Sequence, residues 1–334
     1  MFNPWASANP YHDLTFFSFL IQFFKRFGLF VVGRLPMDQL VTDEIQISVL
    51  AGVAISSALI GSFLILRRMT MLANSLSHTI LMGIVLAYFF SGSNGENKTS
   101  IAPMQAMLIA SLFMGFVTAF LTEFLTKTGR LQEDASMGLV FTTFFALGIV
   151  LVNILTRDAH IGIEAVMGNA DALALSDLYW VYVILTVNAL IYCLFSKELA
   201  LTSFDPSLAL ALGFSPAFFN YLLMAQVSAT SITAFRAVGV LLVLAFITGP
   251  PLISRLLTHS LFKMIMGGMG IGVACSIIGV ALTRHLLTLY GMTLSTSGVV
   301  VSTIFVCYLL TATFAPERGL LSNLRNQLKQ TLKV

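Results

Sequence analysis

Long apolar runs separated by short polar turns make up most of this chain. A helix needs roughly 20 apolar residues to cross a bilayer. Runs of about that length lie at 45–66, 71–90, 101–126, 135–156, 177–196, 262–283 and 294–314. The pattern predicts an all-α polytopic membrane protein with about 8 to 10 transmembrane helices.

A further apolar stretch, 217–250, decides how many crossings there are. Arg236, Gly239 and Pro250 interrupt it. Two complete crossings need about 40 residues, and this stretch is shorter. It therefore predicts either one long kinked helix or a helix followed by a re-entrant half-helix that turns between Arg236 and Gly239.

The basic residues favour the half-helix, because Lys and Arg accumulate in the cytoplasmic loops of membrane proteins. With a half-helix, the loops at 197–216 and 251–261 share one side of the membrane, and most basic residues then lie on that side. The predicted cytoplasmic set is Arg67, Arg68, Lys127, Arg130, Lys197, Arg255, Lys263, Arg318, Arg325, Lys329 and Lys333. The outer set is Lys98, Arg157, Arg236 and Arg284. This bias predicts a cytoplasmic C-terminus.

The N-terminal apolar stretch, 14–33, differs from the others because it carries Lys25 and Arg26 at its centre. A central Lys or Arg costs about 2.5 to 3.5 kcal/mol on insertion into a bilayer, so we expect an interfacial amphipathic helix here. A tenth crossing, with the N-terminus inside, is the alternative. The chain thus divides into an N-terminal extension at 1–44, a transmembrane domain at 45–315 and a basic cytoplasmic tail at 316–334.

Composition supports the membrane setting. Of the 334 residues, 57% are hydrophobic and only 10% are charged, whereas soluble domains average about a quarter charged; the mean hydropathy is +0.91. The net charge of +3 is small and the basic residues lie between apolar runs, which excludes a nucleic-acid interface. Cys193, Cys275 and Cys307 each lie inside an apolar run without metal-ligand spacing, so we expect them to be packing residues.

One polar pair lies inside a predicted membrane helix. Asn74 and His78 are four residues apart in the 71–90 run, so they share a helix face. A histidine at membrane depth is costly and usually faces a partner or a water-filled path. Because imidazole binds borderline divalent metals, the pair is a candidate site in a cation path. Hydrogen bonding between packed helices is the structural alternative.

The loop between Arg157 and Asp177 is rich in carboxylates and carries a single arginine. The charge pattern places it outside, where its negative charge would concentrate cations. His160 and Glu164 have helical spacing and are candidate metal ligands at this outer mouth. A solvated acidic loop is the simpler explanation.

Four blocks of sequence form an ordered set of motifs. The first is Arg67-Arg68 with the run Ala73 to His78, and the second is Glu133 to Phe141. The third is Met167-Gly168-Asn169 with Ser176-Asp177-Leu178. The fourth extends from Phe204-Asp205-Pro206 through Ala211-Leu212-Gly213 to Arg236-Ala237-Val238-Gly239 and Pro250. Over about residues 45–315, the chain resembles the permeases of ABC importers for divalent metals, which take up zinc, manganese or iron in bacteria.

The resemblance implies a permease in the cytoplasmic (inner) membrane that pairs with a second copy or a paralogue. It also implies a cytoplasmic ATP-binding subunit, a metal-binding extracytoplasmic protein, and a transported divalent metal ion in place of a permanently bound cofactor. Independently, the chain contains no Walker-type phosphate loop, so ATP hydrolysis would belong to a separate subunit and this chain is not expected to be an enzyme.

The loop that matches Phe204 to Pro216 docks the ATPase in this family. Here Asp205 and Pro206 predict the N-cap and the first position of a short helix, and Gly213 predicts its end. The coupling residues implied by the resemblance are Phe204, Asp205, Pro206, Ala211, Leu212 and Gly213. An ordinary interhelical turn is the alternative.

The family's metal-coordinating Asp and His correspond here to Asn74 and His78. The histidine matches, but an amide oxygen is a weaker ligand than a carboxylate. The lost charge predicts faster release or altered selectivity, unless another subunit supplies the acid. One imidazole and one amide fit zinc, manganese and iron equally, so the metal stays open.

Carboxylates at Glu133 and Asp134 open a predicted helix, where the helix dipole stabilises them by about 0.3 to 1 kcal/mol. Capping explains them, and a gating role is the alternative; Arg236, Gly239 and Pro250 are further gating candidates. The alternative function is a self-sufficient secondary cation transporter or channel, which the scarcity of intramembrane carboxylates disfavours.

Overall fold

The computed structural model describes residues 15–31, 41–71, 104–156 and 170–315, with isolated positions at 11, 74–75, 79, 82–83, 85–87 and 319. Every regular element in this described part is an α-helix. The helices are α1 Phe16–Val31, α2 Thr42–Leu66, α3 Met104–Thr128, α4 Glu133–Thr156, α5 Leu175–Phe204, α6 Pro206–Ala211, α7 Pro216–Val238, α8 Val240–Leu257, α9 Leu261–Tyr290 and α10 Thr296–Phe314. The described positions between 70 and 87 are also helical.

Six of these helices are long and apolar enough to cross a membrane, namely α2, α3, α5, α8, α9 and α10. α4 has a shorter apolar stretch, Ala135–Leu151. α7 has 23 residues but carries several buried hydroxyl and amide side chains, which lower its hydropathy. The all-helical architecture is confirmed, whereas the predicted count of about 8 to 10 crossings is not.

The long helices run between two ends of the molecule, which we call the Asp43 end and the Arg67 end. At the Asp43 end, Arg284 of α9 forms an ion pair with Asp43 of α2. At the Arg67 end, Arg67 follows α2 and hydrogen-bonds to α5 and α7, while Tyr221 of α7 donates a hydrogen bond to Glu123 of α3. Each described loop between the long helices therefore lies at one of these two ends.

The break between α7 and α8 lies at Gly239, within the region predicted to turn. Gly239 has φ +88°, a conformation that glycine adopts without steric cost, and Ser297 of α10 donates a hydrogen bond to the carbonyl oxygen of Val238 at 3.0 Å. α8 continues for 18 residues, longer than the expected half-helix, because membrane helices tolerate the two prolines it contains. The loops at 205–215 and 258–260 still share the Arg67 end, as the basic residues predicted.

α2 is the central helix of the fold. It packs against α5, α7, α8 and α9, and most of its residues are buried. Position 61 requires glycine, because a Cβ on Gly61 would lie 1.9 Å from the carbonyl oxygen of Ile247 in α8. On α9, a Cβ on Gly272 would meet Ala54 at 3.0 Å. The small residues of α9, Gly268 and Gly272, therefore allow close packing within this chain.

The N-terminal helix α1 lies against the Asp43 end. Its 16 residues span about 24 Å, less than the roughly 30 Å of a hydrocarbon core. Arg26 forms an ion pair with Glu44 at 2.5 Å, and the Phe16 amide donates a hydrogen bond to Nδ1 of His285 at 3.2 Å. The outer face of α1 exposes Phe17, Ile21, Phe24, Phe27 and Leu29. Both tethers lie near one end, so α1 runs across that end and does not descend along the bundle.

Candidate functional site

The segment that carries Asn74 packs on α3 and α4 through one face. The Ser75 hydroxyl is buried and donates a hydrogen bond to the carbonyl oxygen of Met137 in α4 at 3.4 Å. Thr79 is buried, and a Cβ on Gly83 would lie 3.3 Å from a backbone oxygen of α3. These positions recur every four residues, so they share one helix face. Asn74 precedes this face and is exposed.

The partner predicted for Asn74, His78, lies outside the described residues. His160 and Glu164 of the predicted outer mouth also lie outside them. The pairing of Asn74 with His78, and metal capture by the mouth, therefore stay predictions. Glu133 is the first residue of α4, which agrees with its predicted position, but the side chains of Glu133 and Asp134 are again outside the described part.

A cavity of about 510 Å³ opens at the Asp43 end. Asp171 Oδ1 accepts hydrogen bonds from Gln46 Nε2 at 3.2 Å and from the Thr296 hydroxyl. Polar lining comes from Gln46, Asp171, Thr283, Arg284, Thr293, Ser295 and Thr296. Arg284 forms an ion pair with Asp43, and Asp171 places a carboxylate in the lining of the same cavity.

The loop at the Arg67 end contains the short helix expected from its capping signals. Asp205 Oδ1 accepts a hydrogen bond from the Leu208 amide at 3.0 Å, and Pro206 is the first residue of α6. The helix ends at Ala211, and Gly213 has φ +87°, so the chain turns there at a residue without a Cβ. Local signals thus determine both ends of α6.

This loop, which joins α5 to α7, presents an apolar surface. Ala209 is fully buried and seats α6 on the bundle, and Leu210 is 66% exposed on the other side. The exposed apolar side chains of this surface are Phe204, Leu208, Leu210, Leu212, Phe214 and Phe218. We call this set the α6 surface; a concentration of exposed apolar side chains on a loop is typical of a protein interface.

The remaining gating candidates lie along the junction of α7 and α8. Arg236 is exposed in the last turn of α7, Gly239 forms the break, and Pro250 is buried within α8. The structure therefore brings Arg236 and Gly239 together at the Asp43 end, with Pro250 deeper in the bundle.

Two polar constellations were not recognised from the sequence. The first surrounds Arg67, whose guanidinium contacts α5 and α7. In the second, Asn188 Nδ2 of α5 donates hydrogen bonds at 2.7 Å to Ser56 Oγ of α2 and to Thr230 Oγ1 of α7, and Gln226 lies at 3.5 Å from Asn188 Oδ1. All four of these side chains are buried. Lone polar residues inside apolar runs were the available signal, since such residues are costly without partners.

Comparison with known proteins agrees with this architecture. The ABC 3 transport family matches residues 39–315. A probable metal transport system membrane protein of Chlamydia muridarum is 40% identical over 323 residues, which cover 96% of this chain and 99% of that protein. The manganese transport system membrane protein MntD of Bacillus subtilis is 33% identical over 283 residues, covering 81% of this chain and 91% of that protein.

A solved structure with a similar fold is PsaBC from Streptococcus pneumoniae in complex with Fab. The TM-score is 0.71 at 24% identity, covering 90% of this chain and 97% of that chain. This likeness concerns the fold, while the family match and the sequence relatives concern descent. By both criteria of descent, the chain belongs to the ABC 3 transport family.

Proposed function

We propose that this chain is the membrane-spanning permease subunit of an ATP-driven importer. Its cargo is a divalent transition-metal ion, zinc, manganese or iron, and it moves that ion across the bacterial cytoplasmic membrane. ATP hydrolysis belongs to a separate subunit. The chain acts with a second permease copy or a paralogue and with a metal-binding extracytoplasmic protein.

The observation that carries this proposal is the α6 surface. An exposed helix, capped at both ends and seated by Ala209, lies at one end of a bundle of apolar helices. Such a surface suits a partner that remains bound outside the bilayer. The ATP-binding subunit is that partner in our proposal, which makes the Arg67 end cytoplasmic, in agreement with the positive-inside pattern.

The metal path runs along Asn74 and His78 in this proposal. A transported ion must bind weakly enough to leave, so few ligands are an advantage. Neutral imidazole and an amide oxygen meet that requirement. The cavity lined by Asp171 lies at the opposite end from the α6 surface and is the entrance in this proposal.

The test is the purified chain reconstituted with its ATP-binding subunit and its metal-binding protein in liposomes. We expect the subunits to co-purify, ATP turnover to rise with metal-loaded binding protein, and metal to accumulate only with ATP. Liposomes that contain the ATP-binding subunit alone are the control. Metal movement by the chain alone, driven by an imposed proton gradient, would instead establish a secondary transporter.

A further inference from the structure

The guanidinium of Arg67 hydrogen-bonds to both helices that flank the loop carrying α6, namely α5 before it and α7 after it. Nε donates a hydrogen bond to Ser203 Oγ at 3.0 Å, and Nη2 donates one to Thr202 Oγ1 at 2.9 Å, both in the last turn of α5. Nη1 donates one to Asn220 Oδ1 at 3.3 Å, in the second turn of α7. A single side chain at the end of α2 thus binds the helix that enters the loop and the helix that leaves it.

The two hydroxyls that accept hydrogen bonds from Arg67 in turn donate hydrogen bonds to backbone carbonyl oxygens of α5. Thr202 donates a hydrogen bond to the Glu198 carbonyl oxygen at 2.8 Å, and Ser203 donates one to the Leu199 carbonyl oxygen at 2.5 Å. These carbonyls lie in the penultimate turn of α5, near its C-terminal end, where a cation interacts favourably with the helix dipole. The Arg67 contact is therefore electrostatically suited to this position.

No carboxylate in the described ranges forms an ion pair with Arg67. Burial lowers the pKa of its guanidinium to about 10, so the side chain stays charged at neutral pH. The side chain is half-buried, and removing part of the water around a cation that has only neutral acceptors is costly. Its hydrogen bonds offset part of this cost, so stability alone gives little reason for an arginine here.

The surrounding geometry suggests that benefit. The helical backbone of α5 is interrupted at Phe195, so its last turns form a segment distinct from the rest of the helix. α2, in contrast, is the central and most buried helix, and it leads directly into the segment of Asn74 and His78. Arg67 joins the two helices that flank the α6 surface, α5 and α7, to this central helix.

We infer that Arg67 is a positioning residue for coupling: it transmits displacement of the α6 surface, through α5 and α7 together, to α2 and the segment of Asn74. This inference rests on the proposed function. A planar guanidinium reaches three acceptors at fixed angles, which an ammonium group does not. Lysine should therefore restore only part of the coupling.

The experiment measures metal taken up per ATP hydrolysed by the reconstituted complex, with Mn²⁺ and Zn²⁺ supplied separately on the binding protein. For Arg67→Gln we expect this ratio to fall about tenfold, the loss expected from removing charged hydrogen bonds. Arg67→Lys should fall less. Arg68→Gln is the matched control, because Arg68 is the exposed neighbour with the same charge, and its ratio should equal that of the wild type.

An unchanged ratio for Arg67→Gln overturns the inference. A purely structural defect would lower uptake and ATP turnover in proportion, which also leaves the ratio unchanged and overturns the inference. If Arg67→Gln does not assemble, Asn220→Ala removes only the α7 contact and should lower the ratio about threefold; an unchanged ratio there has the same meaning. A wild-type complex without metal-dependent ATP turnover refutes the proposed function itself, before any variant is compared.

Discussion

At the scale of single residues, the polar side chains of this protein divide into those that bind helices together and those that remain accessible. Asn188 is buried among partners on α2 and α7, whereas Asn74 is exposed beside a packed face. The two amides therefore differ in burial: Asn188 joins three helices, and Asn74 is the one that belongs to the proposed path.

Replacing His78 tests the path most directly. We expect His78→Ala to abolish metal uptake, because the imidazole is the strongest metal ligand proposed there. Asn74→Asp should preserve uptake or change the order of preference among Mn²⁺, Zn²⁺ and Fe²⁺, since a carboxylate binds a cation more strongly than an amide does. The measurement is metal content in cells that depend on this importer. Unchanged uptake by His78→Ala would remove the histidine from the path.

Replacing Asn188 tests the buried network. Asn188→Val leaves the hydroxyls of Ser56 and Thr230 without their shared donor, and interhelical hydrogen bonds in membranes are worth about 0.6 to 1.7 kcal/mol. We expect the midpoint of thermal unfolding in detergent to fall by several degrees. Thr186→Val is the control, because Thr186 is exposed on the same helix and bonds only to its own helix backbone in the described contacts. Equal midpoints for both variants would contradict a stabilising network.

At the scale of elements, α6 is the helix whose exposed side chains fit no role inside the bundle. Its N-cap and its buried Ala209 fix its orientation, so Leu210 faces away from the bundle. An apolar side chain that is ordered yet exposed loses little entropy on binding a partner. The conformation of α6 is thus already ordered before a partner binds.

A carboxylate at Leu210 should prevent that association. We expect Leu210→Asp to reduce co-purification of the ATP-binding subunit by about tenfold or more, as hot-spot substitutions do, while the chain itself still folds. Leu289→Asp is the matched control, since Leu289 is a similarly exposed leucine near the other end of the molecule. Retention of the ATP-binding subunit by Leu210→Asp would place its docking surface elsewhere.

Local signals made α6 predictable, whereas α7 and α8 were only partly so. An N-cap, a proline and a glycine within nine positions specify α6 without reference to the rest of the chain. α7 was harder because Gln226, Thr230 and their polar neighbours lower the hydropathy of a helix that the other helices surround. The contacts of Arg67 with Asn220 depend on tertiary packing over a long sequence separation, so no local pattern contains them.

At the scale of the whole molecule, the two ends have different chemistry. The Asp43 end combines ion pairs, the tethered α1 and a cavity lined by Asp171 and Arg284, whereas the Arg67 end combines a half-buried cation with an apolar loop surface. A membrane protein with such ends has a defined orientation, because basic residues favour the cytoplasmic side. α1 would then lie in the outer interface with its exposed phenylalanines toward lipid.

Labelling of single cysteines tests this orientation. In a background without Cys193, Cys275 and Cys307, Ser18→Cys reports on α1 and Ser207→Cys reports on α6, and both serines are exposed. A membrane-impermeant maleimide should label the first in intact spheroplasts and the second only after permeabilisation. The reverse pattern would invert the proposed topology.

The contact between Gly61 and Ile247 limits how this bundle can move. With no side chain between the two backbones, α2 and α8 approach closely at that point, and rotation of α2 that brought a neighbouring side chain there would clash with α8. If the protein alternates between outward and inward openings, we therefore expect α2 and α8 to move together as one unit, and the bending to occur in the helices around them.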